Sequence, residues 1–296
     1  TKLMLGYFFF KIFIFLIYRL VIKILNFLFS NKRLNISPNC PVPPIIIAVK
    51  FFTDIYMYIM KLIKKVLVFT ATYNEVDNIK KLIKKIHKLD SHVHILIIDD
   101  NSPDGTAEEV IKLKKNIKKL FLIIREGKSG LDSAHKMAYR YAIKNNYDFL
   151  ITMDADLSHD PIEIKNFKKY LFQYPFVIGS RYAKGGKCLM KGSRLFLSKY
   201  GNIFIKKFLN VNLNEFTTSY RGFNLKKLNK FSLEKVNTRG YSFFLGTVFE
   251  IYKLNFKIKE IPIIFKDREK GVSKIPKLEI LRTLKNIFIL YFKKNW

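Results

Sequence analysis

The sequence predicts an α/β protein with an open, mostly parallel sheet and helices on both of its faces. From Met60 onward, apolar segments of strand length alternate with segments whose apolar residues recur at helical spacing. This alternation is typical of a parallel sheet whose strands are connected by helices. In addition, three of the apolar segments end in polar clusters, as strands often do at the ligand-binding edge of such a sheet.

The elements follow in order along the chain. Apolar runs predict strands at residues 66–70, 94–98, 120–124, 149–153 and 176–178. Helical spacing of apolar residues predicts helices at 78–89, 106–113, 133–144 and 161–172. In the first helix the spaced residues are Ile79, Leu82, Ile83 and Ile86, with lysines on the opposite face. The last of these helices opens with Pro161, which is favourable at a first helical position.

The composition indicates a folded protein in a reducing environment. A chain of 296 residues with 49% hydrophobic residues can bury one large domain and carry an appendage, which excludes the disordered class. Cys40 and Cys188 lie far apart and match neither a disulfide framework nor a zinc site. We therefore expect an active site that faces the cytoplasm.

The formal net charge of +31 at pH 7 indicates anionic partners. Nucleic acid, an anionic membrane and a phosphorylated substrate would each fit such a charge. No nucleic-acid-binding signature with interleaved aromatic residues is present, so no nucleic-acid partner is expected. A general preference for lysine at polar surface positions also explains part of the charge.

The N-terminal 59 residues read as a hydrophobic extension. Within the apolar residues 1–29, the stretch from Leu3 to Leu25 is long enough to span a bilayer, but three cations interrupt it: Lys11, Arg19 and Lys23. A polar linker at 30–44 and a shorter apolar segment at 45–59 follow. The extension is either a membrane-associated arm or no part of the functional protein, and the domain is predicted at 60–275.

The C-terminal residues 276–296 predict an amphipathic helix. Apolar residues recur at helical spacing, with lysine and arginine around them: Leu278, Leu281, Leu284, Ile287, Phe288 and Tyr291. The segment is too short and too charged to span a bilayer, so we expect it to lie at a membrane surface. The alternative is a helix that packs back on the domain.

Three polar clusters should meet at one edge of the sheet. They are residues 72–75, 99–102 and 154–156, and each alone could be a turn or a helix cap. Asp154 and Asp156 are spaced so that both carboxylates can face one side of a loop, and such hard oxygen ligands suit Mg²⁺ or Mn²⁺. The sequence therefore predicts a divalent-metal site after the fourth strand.

Arginines in polar contexts indicate phosphate binding. In a chain where lysine is the usual cation, Arg181, Arg194, Arg221 and Arg268 stand out because a guanidinium contacts phosphate through two hydrogen bonds. Residues 265–274 also place four cations around a glycine.

Five motifs together resemble family 2 glycosyltransferases, specifically the polyprenyl-phosphate (dolichol-phosphate) mannose synthases. They are TYNE at 72–75, IIDDNSPDGT at 97–106, MDADLSHDP at 153–161, GSRY at 179–182 and FKDREKGVSK at 265–274. The resemblance runs from about residue 66 to 274. It implies a GT-A fold and metal-dependent, inverting transfer of mannose from GDP-mannose to a polyprenyl phosphate at a membrane surface.

The resemblance also implies roles for individual residues. Those expected to bind the nucleotide-sugar donor are Thr72, Tyr73, Asn74, Glu75, Asp99, Asp100 and Lys128. Those expected around the metal are Asp154, Asp156 and Ser158. Those expected to handle phosphates are Arg181, Arg194, Ser198, Arg268 and Lys274. Asp154, Asp156, Arg181 and Arg268 are the expected catalytic residues.

Three departures from the family pattern leave the sugar open. The glycine-rich GLGTAY-like stretch is GLDSAH at 130–135, an expected aspartate is Glu215, and Phe244 and Gly246 replace a glutamine and a glutamate. One alternative is therefore a related transferase that uses UDP-glucose or another nucleotide sugar. Another is an inactive nucleotide-sugar-binding protein of the same fold.

Overall fold

The computed structural model describes residues 64–240, 242–267 and 279–294, together with Arg19. By its internal contacts the chain divides into two compact units, Thr1–Lys64 and Lys65–Trp296. The predicted extension at 1–59, apart from Arg19, and the boundary at Met60 fall outside the described residues.

Strands and helices alternate through most of the second unit. The strands are β1 Val66–Thr72, β2 His94–Asp99, β3 Leu120–Ile124, β4 Phe149–Thr152, β5 Phe176–Ser180, β6 Lys187–Cys188, β7 Arg221–Asn224, β8 Ile258–Pro262 and β9 Ile264–Phe265. The helices are α1 Val76–Leu89, α2 Thr106–Lys114, α3 Leu131–Lys144, α4 Ile164–Leu171, α5 Gly192–Leu209, α6 Ser242–Lys253 and α7 Glu279–Lys294.

The main sheet has the order β3-β2-β1-β4-β7-β5-β8 within the described residues. Strands β1 to β4 run parallel, as do β5 and β8, whereas β7 is antiparallel to both of its neighbours. A second, small parallel pair joins β6 and β9. The predicted open and mostly parallel sheet is confirmed.

Alternate residues of β1 face two hydrophobic cores. Val66 and Val68 join a core with α1, α2 and α4, while Leu67 and Phe69 join a core with α3, α5, α6 and α7. Successive strand side chains point to opposite faces of a sheet, so a strand that is apolar at every position needs helices on both sides. The predicted two-sided helical cover is confirmed.

The structure differs from the sequence prediction mainly after β5. Helices α5 and α6 and strands β6 to β9 were not predicted, because their apolar residues follow no clean strand or helix period. Earlier, the predicted helix at 161–172 begins as a 3-10 turn, Pro161–Glu163, before α4. Asp160 caps this turn by accepting a hydrogen bond from the Ile162 amide at 3.1 Å.

The C-terminal helix α7 packs on the domain and also exposes apolar side chains. Ile287 and Leu290 are buried in the core that contains α5 and α6, while Phe288 and Phe292 are exposed. The structure thus shows the packing that was the alternative interpretation, and binding of this helix to a membrane surface stays a prediction. No helix in the described part of the chain is long and apolar enough to cross a bilayer.

Candidate active site

A cleft of about 1300 Å³ opens at the carboxyl ends of β1, β2 and β4. These ends are adjacent because Thr72 pairs with Asp99 in the β1–β2 register, and β4 lies on the other side of β1. The predicted site residues that line the cleft are Thr72, Tyr73, Glu75, Asp100, Lys128, Asp154, Asp156, Arg181, Arg194 and Ser198. The three polar clusters thus meet at one edge of the sheet, as the sequence predicted.

The loop after β1 is held by the loop after β2. The backbone amide of Asn74 donates to Ser102 Oγ at 3.0 Å, and the amide of Glu75 donates to Thr106 Oγ1 at 3.0 Å. Asn74 has a φ of 56°, a left-handed conformation that asparagine tolerates better than most residues. The Lys128 Nζ lies 4.8 Å from the centre of the Tyr73 ring, which brings two predicted donor-binding residues together.

Three predicted site residues do not line the cleft. Asp99 is completely buried and accepts hydrogen bonds from Thr72 Oγ1 at 2.6 Å and from the amide and hydroxyl of Ser102 at 2.8 and 2.7 Å. Ser158 is also completely buried and donates to Asp156, whereas Asn74 is exposed and bonds the neighbouring loop through its backbone amide. The side chains of Asp99 and Ser158 therefore support the loops that carry the lining residues.

Arg125 is a lining residue that sequence reasoning missed. Its Nε donates to Asp100 Oδ1 at 2.5 Å, its Nη1 to Ser133 Oγ at 2.5 Å and its Nη2 to the Gly130 carbonyl at 3.2 Å. Burial raises the pKa of Asp100, and the Arg125 guanidinium opposes that rise. The available signal was an arginine directly after β3 in a chain where lysine is the usual cation.

The loop after β4 presents the two aspartates of the predicted metal site. Asp156 is buried, and its Oδ1 accepts from the amide and hydroxyl of Ser158 at 3.1 and 2.6 Å. The Asp154 side chain is 40% exposed, and its Oδ1 accepts from Ser219 Oγ at 2.5 Å. Leu157, directly after Asp156, has a φ of 61°, a costly conformation for a bulky residue and one that often occurs at functional loops.

His159 supports this loop from below. Its Nδ1 accepts a hydrogen bond from the Asp154 amide at 3.1 Å, and its Nε2 lies 3.3 Å from Thr218 Oγ1. An Nδ1 that accepts leaves the proton of a neutral ring on Nε2. Burial lowers the pKa of His159, which favours this neutral form. His159 is thus a structural partner of Asp154, in agreement with its lack of a second ligand at metal-binding spacing.

Arg181 is paired with Glu215 at the wall of the cleft. The guanidinium donates to Glu215 Oε2 from Nε at 2.7 Å and to Oε1 from Nη2 at 2.8 Å. Glu215 is completely buried; burial alone would raise its pKa, but Arg181 and Thr217 hold that pKa below its ordinary value. The glutamate that departs from the family pattern therefore still pairs with the predicted phosphate-binding arginine.

Helix α5 contributes two further predicted phosphate-binding residues. Arg194 and Ser198 are four residues apart, so they lie on one face of the helix, and both line the cleft. The Tyr182 hydroxyl donates to Ser198 Oγ at 2.8 Å. Arg194 is about half-exposed, with Nη1 3.9 Å from Asp267 Oδ1. The predictions for Arg268 and Lys274 fall on residues that the structure does not describe.

Arg221 does not reach the cleft. It is 1% exposed and donates to the carbonyls of Thr218, Phe244 and Phe216 at 2.7, 2.6 and 2.8 Å. Burial lowers its pKa to about 9. The interpretation of this arginine as a phosphate contact was wrong, because it holds the loop before β7 to helix α6.

The donor set of the aspartate loop fits a divalent cation. Asp154 and Asp156 supply carboxylate oxygens to the same cleft, and Mg²⁺ and Mn²⁺ prefer such hard ligands. Over the described ranges, no group of three or more histidine, cysteine, aspartate or glutamate side chains is arranged to hold a metal ion. Two carboxylates suit a cation that completes its shell with water and substrate phosphate.

The sequence of this chain matches known proteins. The profile of Glycosyl transferase family 2 matches residues 67–231. Polyprenol monophosphomannose synthase of Mycolicibacterium smegmatis is 33% identical over 217 residues, which cover 72% of this chain and 81% of that protein. Undecaprenyl-phosphate mannosyltransferase of Micrococcus luteus is 31% identical over 212 residues, which cover 71% of this chain and 87% of that protein.

Solved structures share the fold at lower identity. Glucosyl-3-phosphoglycerate synthase of Mycobacterium tuberculosis, in complex with Mn²⁺, UDP and glucosyl-3-phosphoglycerate, has a TM-score of 0.53 at 15% identity, with 79% of this chain and 81% of that chain covered. A mannosyltransferase of Pyrobaculum calidifontis, in complex with GDP-Man and Mn²⁺, has a TM-score of 0.50 at 17% identity, with 78% and 64% covered.

An α/β sheet of this topology, with a carboxylate pair and cations in one cleft, defines a GT-A-type glycosyltransferase. The chain belongs to glycosyl transferase family 2.

Proposed function

We propose that the protein transfers mannose from GDP-mannose to a polyprenyl phosphate at a membrane surface, with inversion at the anomeric carbon. The observation that carries this proposal is one cleft that contains a carboxylate pair, several cations and the edge of an apolar helical surface. The names of the two curated relatives, a polyprenol monophosphomannose synthase and an undecaprenyl-phosphate mannosyltransferase, support this donor sugar and acceptor class.

The protein's part in this reaction is chiefly positioning. A phosphate acceptor is already anionic, so its oxygen can attack the anomeric carbon without a strong general base while the bond to the donor diphosphate breaks. Thr72, Glu75 and Asp100 line the part of the cleft suited to the nucleoside, and Arg181 and Arg194 line a part suited to phosphate. Holding the two reactants in line and stabilising the developing charge lowers the barrier.

Asp154 and Asp156 would hold the Mg²⁺ or Mn²⁺ ion. A cation at these carboxylates would neutralise the negative charge that develops on the leaving diphosphate. Ser158, Ser219 and His159 keep the loop in place through their hydrogen bonds to the two aspartates.

The exposed face of α5 and α7 supports a membrane location. On α5, Phe196 is 64% and Tyr200 51% exposed, and on α7 Phe288 is 49% exposed. The two helices pack together through Phe208, whose ring centre is 5.2 Å from that of Phe288. Helices with apolar faces and flanking lysines bind anionic lipid surfaces. A net charge of +31 favours the anionic cytoplasmic leaflet, so we place the active site on the cytoplasmic side.

Purified full-length protein, assayed with a panel of nucleotide sugars and a polyprenyl phosphate, tests the proposal. We expect transfer from GDP-mannose that requires Mg²⁺ or Mn²⁺ and stops in excess chelator. Transfer only from UDP-glucose would overturn the mannose assignment, and donor binding without turnover would identify an inactive binding protein.

Asp156→Asn tests the role of the metal site. It retains an acceptor for Ser158 but loses the charge, so we expect transfer to fall by at least about a hundredfold and Mn²⁺ binding, measured by electron paramagnetic resonance, to weaken. Asp160→Asn is the control in the same loop, because Asp160 instead contacts Lys85 and Lys266. Equal activity of the two variants would contradict the metal assignment.

A further inference from the structure

Helix α7 forms a wall of the active-site cleft. Its side chains Arg282, Thr283, Leu284 and Ile287 line the same cleft as the two aspartates. None of the five sequence motifs includes this helix, and sequence reasoning treated it as a membrane-binding segment or as a helix that packs back on the domain, not as part of the site.

The position of α7 is fixed by contacts with α6. Asn286 Nδ2 donates to Ser242 Oγ, at the start of α6, at 2.6 Å. Lys293 Nζ lies 2.7 Å from Oε1 of Glu250, which is in the second half of α6. Ile287 and Leu290 are buried between these contacts. These contacts hold the helix from Asn286 to Lys293, and Arg282 lies about one helical turn before the first of them.

Arg282 stands where a charged surface meets an apolar one. It is four residues before Asn286 and therefore on the same face of the helix, and it lines the cleft together with Arg194 and Arg239. Beyond it along α7, Leu284 is 39% exposed and Phe288 49% exposed. A ligand with a phosphate at one end and a hydrocarbon chain at the other would fit the arginines in the cleft and the apolar residues that follow them along α7.

We infer that Arg282 binds the phosphate group of the lipid acceptor, with the prenyl chain running along the exposed apolar side of α7. This inference rests on the proposed function. A guanidinium suits a phosphate monoester because it donates two parallel hydrogen bonds to it. The residues of the aspartate loop serve the donor diphosphate, so the two phosphates of the reaction meet different walls of the cleft.

Steady-state kinetics with geranyl phosphate, a short acceptor used in the absence of a bilayer, tests the assignment. We expect Arg282→Ala to raise the KM for geranyl phosphate about tenfold, while the KM for GDP-mannose changes less than about twofold. Arg282→Lys should give an acceptor KM between those of Arg282→Ala and the wild type. Lysine keeps the positive charge but cannot donate two parallel hydrogen bonds as the planar guanidinium does.

Lys285→Ala is the matched control. It removes one positive charge from the same helix, but Lys285 is exposed and does not line the cleft. An unchanged acceptor KM in Arg282→Ala would overturn the inference, as would an equal loss in Lys285→Ala or a rise confined to the donor KM. Thermal unfolding of each variant shows whether the fold is intact. If the wild-type protein transfers no mannose, the proposed function fails; geranyl phosphate binding measured by calorimetry on the same variants still tests Arg282 separately.

Discussion

At the scale of single residues, Arg125 connects three parts of the site. It joins Asp100 at the end of β2, Ser133 in α3 and the carbonyl of Gly130 before α3. Asp100 lines the cleft, and the hydrogen bond and charge of Arg125 offset the effect of burial on its pKa. Arg125 is therefore a positioning residue for donor binding, acting through Asp100.

We expect Arg125→Lys to raise the KM for the nucleotide-sugar donor about tenfold and to change kcat much less. Lysine keeps the positive charge but loses the guanidinium hydrogen bond to Asp100, so the pKa of Asp100 should rise further in the variant. A carboxyl with a higher pKa is protonated at higher pH, so the donor KM of the variant should worsen more than that of the wild type between pH 8 and pH 6. Arg140→Lys, at an exposed pair with Glu234, is the control. Parallel pH profiles for the variant and the wild type would contradict this role.

Asp99 and Asp100 show the limit of prediction at this scale. The sequence places both at the end of β2, and both were predicted to bind the donor. In the structure Asp99 is completely buried under three hydrogen bonds, while Asp100 lines the cleft. Which of the two side chains faces the cleft depends on how the loop after β2 folds at the strand end. Asp99 is held inward by Ser102, three residues on, and by Thr72, 27 residues away in sequence.

At the scale of elements, helix α6 packs closely on the segment before it. A Cβ added to Gly246 would lie 2.1 Å from Thr238 Oγ1 and 3.1 Å from Val236 Cγ1. Thr238 Oγ1 is itself buried without a hydrogen-bond partner among the described residues. The glycine that replaces an expected glutamate is thus required here by packing.

We predict that Gly246→Ala lowers the free energy of unfolding by about 1–3 kcal/mol, the range for overpacked cores. Thr238→Ala removes the closest atom and a buried unpaired hydroxyl, so its own effect should be small. The double variant should recover most of the lost stability, which urea unfolding of all four proteins measures. Additive effects would show that the two side chains do not compete for this space.

Helix α5 was not predicted, and its exposed apolar face supports membrane binding. The chain has one tryptophan, Trp296, so Trp296→Phe combined with Phe196→Trp provides a single fluorescent probe on this face. We expect brominated anionic lipids to quench it at least about twice as strongly as a probe at Ile111. Ile111 is the matched control because it is 47% exposed on α2, on the opposite side of the sheet. Equal quenching would mean that α5 does not enter the lipid interface.

At the scale of the whole molecule, a buried histidine makes stability depend on pH. His135 is 4% exposed, and its ring centre lies 5.0 Å from that of Phe69 and 5.1 Å from that of Phe244. Burial lowers its pKa from 6.5 to about 3, with Arg221 adding to the effect. The unfolded chain therefore binds a proton below pH 6.5 that the folded protein excludes, so stability is full above that pH and falls as the pH drops toward 3.

Between pH 7 and pH 5 this group alone should lower the free energy of unfolding by about 2 kcal/mol, from 1.36 kcal/mol per pH unit below the unfolded pKa. His135→Phe keeps an aromatic ring but cannot titrate. Urea unfolding at both pH values measures the loss of unfolding free energy between pH 7 and pH 5. We expect this loss to be about 2 kcal/mol smaller in His135→Phe than in the wild type. An identical acid loss in both proteins would exclude His135 as the cause.

The sequence by itself determined strands β1 to β5, the helices from α1 to α4 and the convergence of three polar clusters. These follow from local rules: apolar periodicity sets strand or helix, and parallel strands bring their carboxyl ends to one edge. Asp154, Asp156 and Asp100 could be predicted because each directly follows such a strand. The five motifs added the family, which the comparisons confirmed.

Only the tertiary structure decided which candidate side chains reach the cleft and what supports them. Arg221 is buried while Arg181 lines the cleft, although both are arginines in polar contexts. Arg125 and Arg282 also line the cleft, although neither lies in one of the five motifs. The pairing of β7 between β4 and β5 is likewise non-local. Periodicity reports which face of an element is apolar, but the partner of each polar group is chosen by packing among elements far apart in sequence.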